Sequence, residues 1–198
     1  MRDTIKLVLA LVAVVFAIGA WLADRPVAHP PGVLAADDPR QDPLEEAEPL
    51  ELHGYRLQPR ATFELRARVL SAEHYRWDGG ASLAPVDLAL GWGPMSDTAT
   101  LKRFRITQAA RYYTLYPRDG AIDLGEALRH SGNMHLIPAD DAVLDRLESV
   151  RAGHVVTLRG LLVDATRPDG FTWSTSLRRD DSGAGACELF LVESASLR

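Results

Sequence analysis

His130 and His135 stand five residues apart around a Ser131-Gly132-Asn133-Met134 turn, with Asp140 and Asp141 just downstream. Imidazoles and carboxylates are metal-ligand types, but helical pairs favour i, i+4 and this spacing fixes no third ligand. The plain alternative is a His135 bonded to loop backbone and an exposed His130. Cys187 is the only cysteine, so no intrachain disulfide forms. Beside His135 it would give a nucleophile with a base, because a thiolate needs a neighbouring base or cation. Its place at the head of an apolar stretch after Gly183-Ala184-Gly185 instead suits a small buried hydrophobe.

Arginines supply the second chemistry. Arg178 and Arg179 adjoin Asp180 and Asp181 in a charged loop that either pairs with itself or receives an anion. Arg66 and Arg68 share one strand face, and Lys102, Arg103 and Arg105 lie close in sequence; converging, such faces would make an anion-binding surface. Trp92 and Trp173 are core anchors or, if exposed, stacking platforms for a sugar ring or a peptide. Gly91, Gly93 and Pro94 around Trp92 permit close approach of another group. The chain has no Gly-rich phosphate loop, no paired-Cys knuckle, no Gly-x-Ser-x-Gly elbow and no acid pair set for glycoside hydrolysis. These absences favour binding over catalysis and call for no cofactor.

Positioning these groups falls to a mostly β chain with one main helix. In residues 62–70, Phe63, Leu65, Ala67 and Val69 alternate with Glu64, Arg66 and Arg68, the period of a half-buried strand. It extends toward Trp77 and a Gly79-Gly80 turn. Val86–Trp92, Phe104–Ile106 and Tyr112–Tyr116 read as further strands, and 117–137 as irregular with a short helix at Leu124–His130. The helix at Asp140–Arg151 carries Val143, Leu147 and Val150 at i, i+4, i+7, acids at its start and Gly153 past its end. Strands follow at His154–Ala165, Phe171–Leu177 and Cys187–Ser194, with a Pro168-Asp169-Gly170 turn between the first two. A helix running through Gly into a strand before the closing strands resembles the small OB-like antiparallel barrel, while a β-sandwich would read similarly.

The address comes from residues 1–50. From Ile5 to Ala23 only Lys6 is charged: 19 residues, about 28 Å of helix, against a hydrocarbon core of about 30 Å. Arg2 and Lys6 predict a cytoplasmic N-terminus, and Trp21 suits the far interface. The expectation is a single-pass inner-membrane anchor, residues 5–23, with an extracytoplasmic or periplasmic domain; a cleaved signal peptide at Ala17-Ile18-Gly19 is the alternative. Residues 24–50 hold six of the 12 prolines and seven acids against Arg25 and Arg40. That composition predicts a stiff acidic linker holding a domain of residues 51–198 off the membrane, with at most a short helix near Leu44–Leu50. Eight of the 27 acids and four of the 22 bases lie in residues 1–50, so 51–198 carry 19 acids and 18 bases. A near-neutral domain gives no field for nucleic acid.

Three stretches are unusual for scaffold: Pro85-Val86-Asp87-Leu88-Ala89-Leu90-Gly91-Trp92-Gly93-Pro94-Met95-Ser96-Asp97, the run from His130 through Asp140, and Trp173 through Glu188. Together, over residues 62–194, the chain resembles a family of uncharacterised, membrane-anchored bacterial envelope proteins. The resemblance implies an envelope address and brings no assigned activity. The expected function is a membrane-anchored extracytoplasmic binding or interaction domain with an envelope protein partner. The alternatives are an envelope enzyme using Cys187 and His135 or a metal at His130 and His135, and an oligosaccharide- or nucleotide-binding barrel.

Overall fold

The computed structural model describes residues 25–120, 123–178 and 186–198, together with Lys6, Leu11, Val12 and Val14. The rest of the apolar run expected to span a membrane lies outside the described residues. Among those described, no helix is long and apolar enough to cross one.

The chain is mostly β. Ten strands run β1 (Arg40–Pro43), β2 (Leu50–Leu52), β3 (Tyr55–His74), β4 (Val86–Gly91), β5 (Phe104–Ala109), β6 (Tyr112–Pro117), β7 (Ser131–Pro138), β8 (Val155–Thr166), β9 (Thr172–Trp173) and β10 (Glu188–Leu197). Among the described residues three short α-helices, α1 (Thr98–Leu101), α2 (Leu124–Arg129) and α3 (Asp141–Glu148), and a 3-10 turn at Gly93–Ser96 interrupt them. Five strands pair in the order β3–β4–β7–β10–β8, and β8 pairs back onto β3, so the sheet closes into a ring. β7 and β10 are parallel; the other described pairings are antiparallel.

Closure rests on β3. Its first half pairs β8, from Arg56 opposite Thr166 to Arg68 opposite Val155, and its second half pairs β4. Register shifts at Pro59/Ala61 and Val69/Ser71 mark where the strand is free to bend. At Gly160 a Cβ would fall onto the Leu191 carbonyl, so glycine lets β8 and β10 approach. The alternation expected of residues 62–70 holds: Phe63, Leu65, Ala67 and Val69 are at most 2 % exposed and face the interior with Leu88, Leu90, Met134, Leu136, Leu158 and Phe190. Helix α3 contributes Val143 and Leu147 to this core, and its N-cap Asp140 accepts the Val143 N–H at 2.8 Å.

Several expectations need correction. Residues 131–138, read as polar and irregular, form the central strand β7, buried on both faces, so neither alternation nor a polar side marks it. The strands at 104 and 112 form a separate hairpin, β5–β6, outside the ring. Its two-residue turn, Ala110-Arg111, has φ of 49° and 67°, as a primed hairpin turn requires. Phe171–Leu177 shortens to the two-residue β9, and no helix forms at Leu44–Leu50.

Nor is the Pro-rich stretch a free linker, because the domain supplies bonds along its length. Val27 N–H donates to Ala152 O at 2.9 Å, and the Leu34 and Ala35 N–H groups donate to the buried Ser96 Oγ at 3.0 and 3.1 Å. Thr98 Oγ1 donates to His29 O at 3.0 Å, and β1 pairs along β3. Composition argued from the segment's own missing core; these partners come from elsewhere. The folded unit therefore begins by residue 27 and not at 51.

Candidate functional site

Antiparallel pairing of β4 and β7 sets Asp87 opposite His135 and Ala89 opposite Asn133. Interior positions alternate with these, so Asp87, Asn133 and His135 share the outer face of the ring. The β5–β6 hairpin and the segment from Phe171 to Ser176 cover that face. Asp87 is 0 % exposed and His135 4 %.

A buried carboxylate requires compensation. Arg111, presented from the hairpin turn, supplies it: Nη1 donates to Asp87 Oδ1 at 3.0 Å and to Ala84 O at 3.0 Å. Its Nε and Nη2 donate to the two oxygens of Asp78 at 2.9 and 2.7 Å, a bidentate pair. The guanidinium lies 4.1 Å from the Tyr75 ring centroid and 5.3 Å from that of Trp173. This bonding holds the Asp78 carboxyl below the usual carboxylate range. Tyr75 Oη accepts the Arg111 N–H at 3.0 Å, and burial raises its hydroxyl above the usual tyrosine range. Arg111 is thus spent inside the protein and is a poor receptor for an added anion.

The other oxygen of Asp87, Oδ2, lies 2.9 Å from His135 Nδ1, an ion-pair distance without hydrogen-bond alignment. Nε2 of that ring makes no hydrogen bond among the described residues. The imidazole tilts against Trp173 with centroids 4.7 Å apart. Next to it, Asn133 Nδ2 donates to Arg111 O at 3.0 Å and lies 3.7 Å from Cys187 Sγ, and Gln108 Nε2 donates to Asn133 Oδ1 at 2.7 Å. Tyr113 Oη lies 3.0 Å from Ser131 Oγ, and burial pushes its hydroxyl up.

Of these groups Asp78, Arg111, His135, Trp173 and Cys187 border a cleft of about 700 Å³. Its walls are Asp78–Gly80 from the β3–β4 loop, Ala110–Tyr112 from the hairpin, Phe171–Ser174 around β9, and His135 with Cys187 from the ring. Gly80 lets the indole approach, since a Cβ there would sit 2.7 Å from Trp173 Cζ3 and displace the ring.

Among the residues singled out from sequence, the fold brings His135, Cys187 and Trp173 together in this cleft. Cys187 is half-buried, where its surroundings suggested a fully buried side chain. Trp92 is a core side chain at 2 % exposure, as the ordinary reading had it. His130 caps α2, with Nδ1 3.0 Å from Glu126 O, and Asp140 caps α3. These two are taken up by helix ends, and among the described residues no three His, Cys, Asp or Glu side chains are grouped to hold a metal. Arg66 and Arg68 do not share a surface: Arg66 is exposed, while Arg68 is buried, its Nη1 donating to Ser96 O and Thr98 Oγ1. Arg103 pairs with Asp119, and Arg105 stacks on Tyr116. Arg178 is exposed on the segment after β9; Arg179, Asp180 and Asp181 lie outside the described residues.

Asp87, Arg111, Asp78 and Asn133 escaped sequence reasoning. The available signal was Asp87 itself, a lone acid in the apolar run Val86-Asp87-Leu88-Ala89-Leu90. Compared with protein-family models, curated proteins and solved structures, the chain matches none.

Proposed function

We propose that this protein is a membrane-anchored extracytoplasmic binding domain, built on an OB-like ring, whose ligand occupies the cleft at Trp173 and His135. The observation that carries the reading is the cleft's position. Renumbered within the ring alone, the strands run 1-2-3-5-4-1, with α3 between the third and fourth. OB-like domains take ligands on the face of strands two and three, between the loops that follow strands one and four. The cleft lies on the corresponding face, β4–β7, between the β3–β4 loop and the β8–β9 region.

Aromatic walls and a committed arginine favour an uncharged or weakly charged ring, such as a sugar of an envelope oligosaccharide, over a polyphosphate. The anchor at residues 5–23 and the family resemblance supply the envelope address, and a partner protein carrying such a glycan remains within this reading.

Thermal-shift screening of the full chain against oligosaccharides, nucleotides and peptides tests it, with Trp173→Ala as control. A ligand at 100 times its Kd adds about 2.7 kcal/mol to the wild type, and the variant responds less. Equal stabilisation of both proteins overturns the cleft as the site.

A second reading has one observation in its favour: Cys187 and His135 share the cleft, and Asp87 stands behind the imidazole. Thiol chemistry there predicts that Cys187 alkylates more slowly in His135→Gln. An unchanged rate removes it.

A further inference from the structure

The folded unit starts immediately after the apolar run. Val27 is four residues beyond Ala23, a reach of at most about 14 Å for extended chain. It is fixed: its N–H donates to Ala152 O, and the His29 ring lies 2.8 Å from Gly153 O. Gly153, with φ of 91°, has no room for a Cβ beneath the Val27 carbonyl.

That entry point lies at one end of the ring. Gly153 N–H donates to Val69 O, Val69 N–H to His154 O, and Arg198 and Val155 exchange backbone bonds at 2.9 and 3.1 Å. The entry segment, the middle of β3, the start of β8 and the end of β10 therefore converge. Their cations converge with them. Arg66 and Arg198 line a cleft of about 330 Å³ with Thr157 and Ser196, while Arg25 and Arg151, each engaged with a partner, stand at the entry. Glu64, on the same strand as Arg66, is paired with Arg159 at 2.7 Å. Burial, with Arg151 and His29 nearby, holds His154 below the usual histidine range.

We propose that this basic end, presenting Arg66 and Arg198, rests on anionic phospholipid headgroups and turns the ligand cleft away from the membrane. The inference rests on the anchored reading above. A free linker would let the domain tumble; a strapped one confines this end to the headgroup layer, within reach of a surface potential that decays over about 8 Å. The β9 wall of the cleft lies at the other end of β8, 12 residues from Val155 to Thr166, about 36 Å of strand.

The test uses the full chain in nanodiscs of phosphatidylcholine alone or with one-third phosphatidylglycerol, and a quencher on the headgroups. A fluorescent amino acid replaces exposed Ser196 at the basic end or exposed Pro168 at the far turn. The expected result is quenching at 196 and not at 168, stronger with phosphatidylglycerol and relieved by salt. Arg66→Glu combined with Arg198→Glu should lower the docked-to-undocked ratio by about fivefold or more per residue. Both side chains are exposed, and unchanged thermal unfolding verifies the fold. Equal quenching at the two positions, or no dependence on anionic lipid, overturns the proposal while leaving the anchor standing. Failure of the chain to enter discs at all overturns the anchored reading, and this inference with it.

Discussion

Arg111→Met tests the electrostatic account of the cleft directly. The substitution keeps the aliphatic stem and removes the guanidinium from a carboxylate with no solvent access. Asp87 loses the donor at 3.0 Å, keeps only the poorly aligned His135 contact, and Ala84 O loses its bond from the same nitrogen. Breaking a buried pair in this way costs about 3–5 kcal/mol, mostly through the charge left behind. The Asp78 limb, 37 % exposed, adds no more than about 1 kcal/mol. For a unit of this length each kcal/mol moves Tm by about 2–4 °C, so the fall should be roughly 6–20 °C. Urea unfolding and calorimetry would measure it, with Asp78→Asn as the mild reference. Pairing Arg111→Met with Asp87→Leu should recover much of the loss, because the orphaned charge is gone. A cost below about 1 kcal/mol for Arg111→Met, or a double variant as unstable as the summed singles, would refute the reasoning.

Three further outcomes follow from the same structure. Gly153→Ala places a Cβ against the Val27 carbonyl at a left-handed position costing about 1–2 kcal/mol; limited proteolysis should then cut residues 25–40 while the ring stays resistant, and an unchanged digestion pattern would deny that the strap is held there. Arg111 depresses the Asp78 pKa, so this group stabilises the fold above the unfolded carboxylate pKa and the contribution fades as pH falls through the folded value. Tm against pH should accordingly drop less steeply on the acid side in Asp78→Asn than in the wild type. Burial raises the Tyr113 pKa, so its contribution is intact below the unfolded tyrosine value and lost as pH climbs past it toward the folded value. The alkaline limb of the same titration should be shallower in Tyr113→Phe, and parallel limbs would count against its burial.

Local rules carried the sequence a fair distance. The inward set of β3, from Phe63 to Val69, was legible because one face is apolar and the other polar. Helix α3 was legible from Asp140 and the Val143-Leu147 spacing, but it ends at Glu148 with Ser149 as its C-cap, so Gly153 does not terminate it. Strands β4, β8 and β10 were visible as apolar runs between turn residues. β7 was hidden because its two faces have different covers: the interior takes Met134 and Leu136, and the outer face places Asn133 and His135 beneath a hairpin and β9. A strand in that position need not alternate.

The site depended still more on tertiary structure. Asp87 and Arg111 are 24 positions apart, and nothing near either residue in sequence announces a partner. The strap escaped for the same reason, since Val27, Leu34, Ala35 and β1 find their backbone partners on Ala152, Ser96 and β3. By itself the sequence determined the apolar N-terminal run, the near-neutral charge of residues 51–198, the absence of an intrachain disulfide and the elements whose signals are local. Only the tertiary structure decided that the sheet closes, that the entry segment is bound, and that His135, Cys187 and Trp173 meet around a buried Asp87–Arg111 pair. Those outcomes depend on hydrogen bonds and charge compensation between segments far apart in the chain, which no local pattern of residue types encodes.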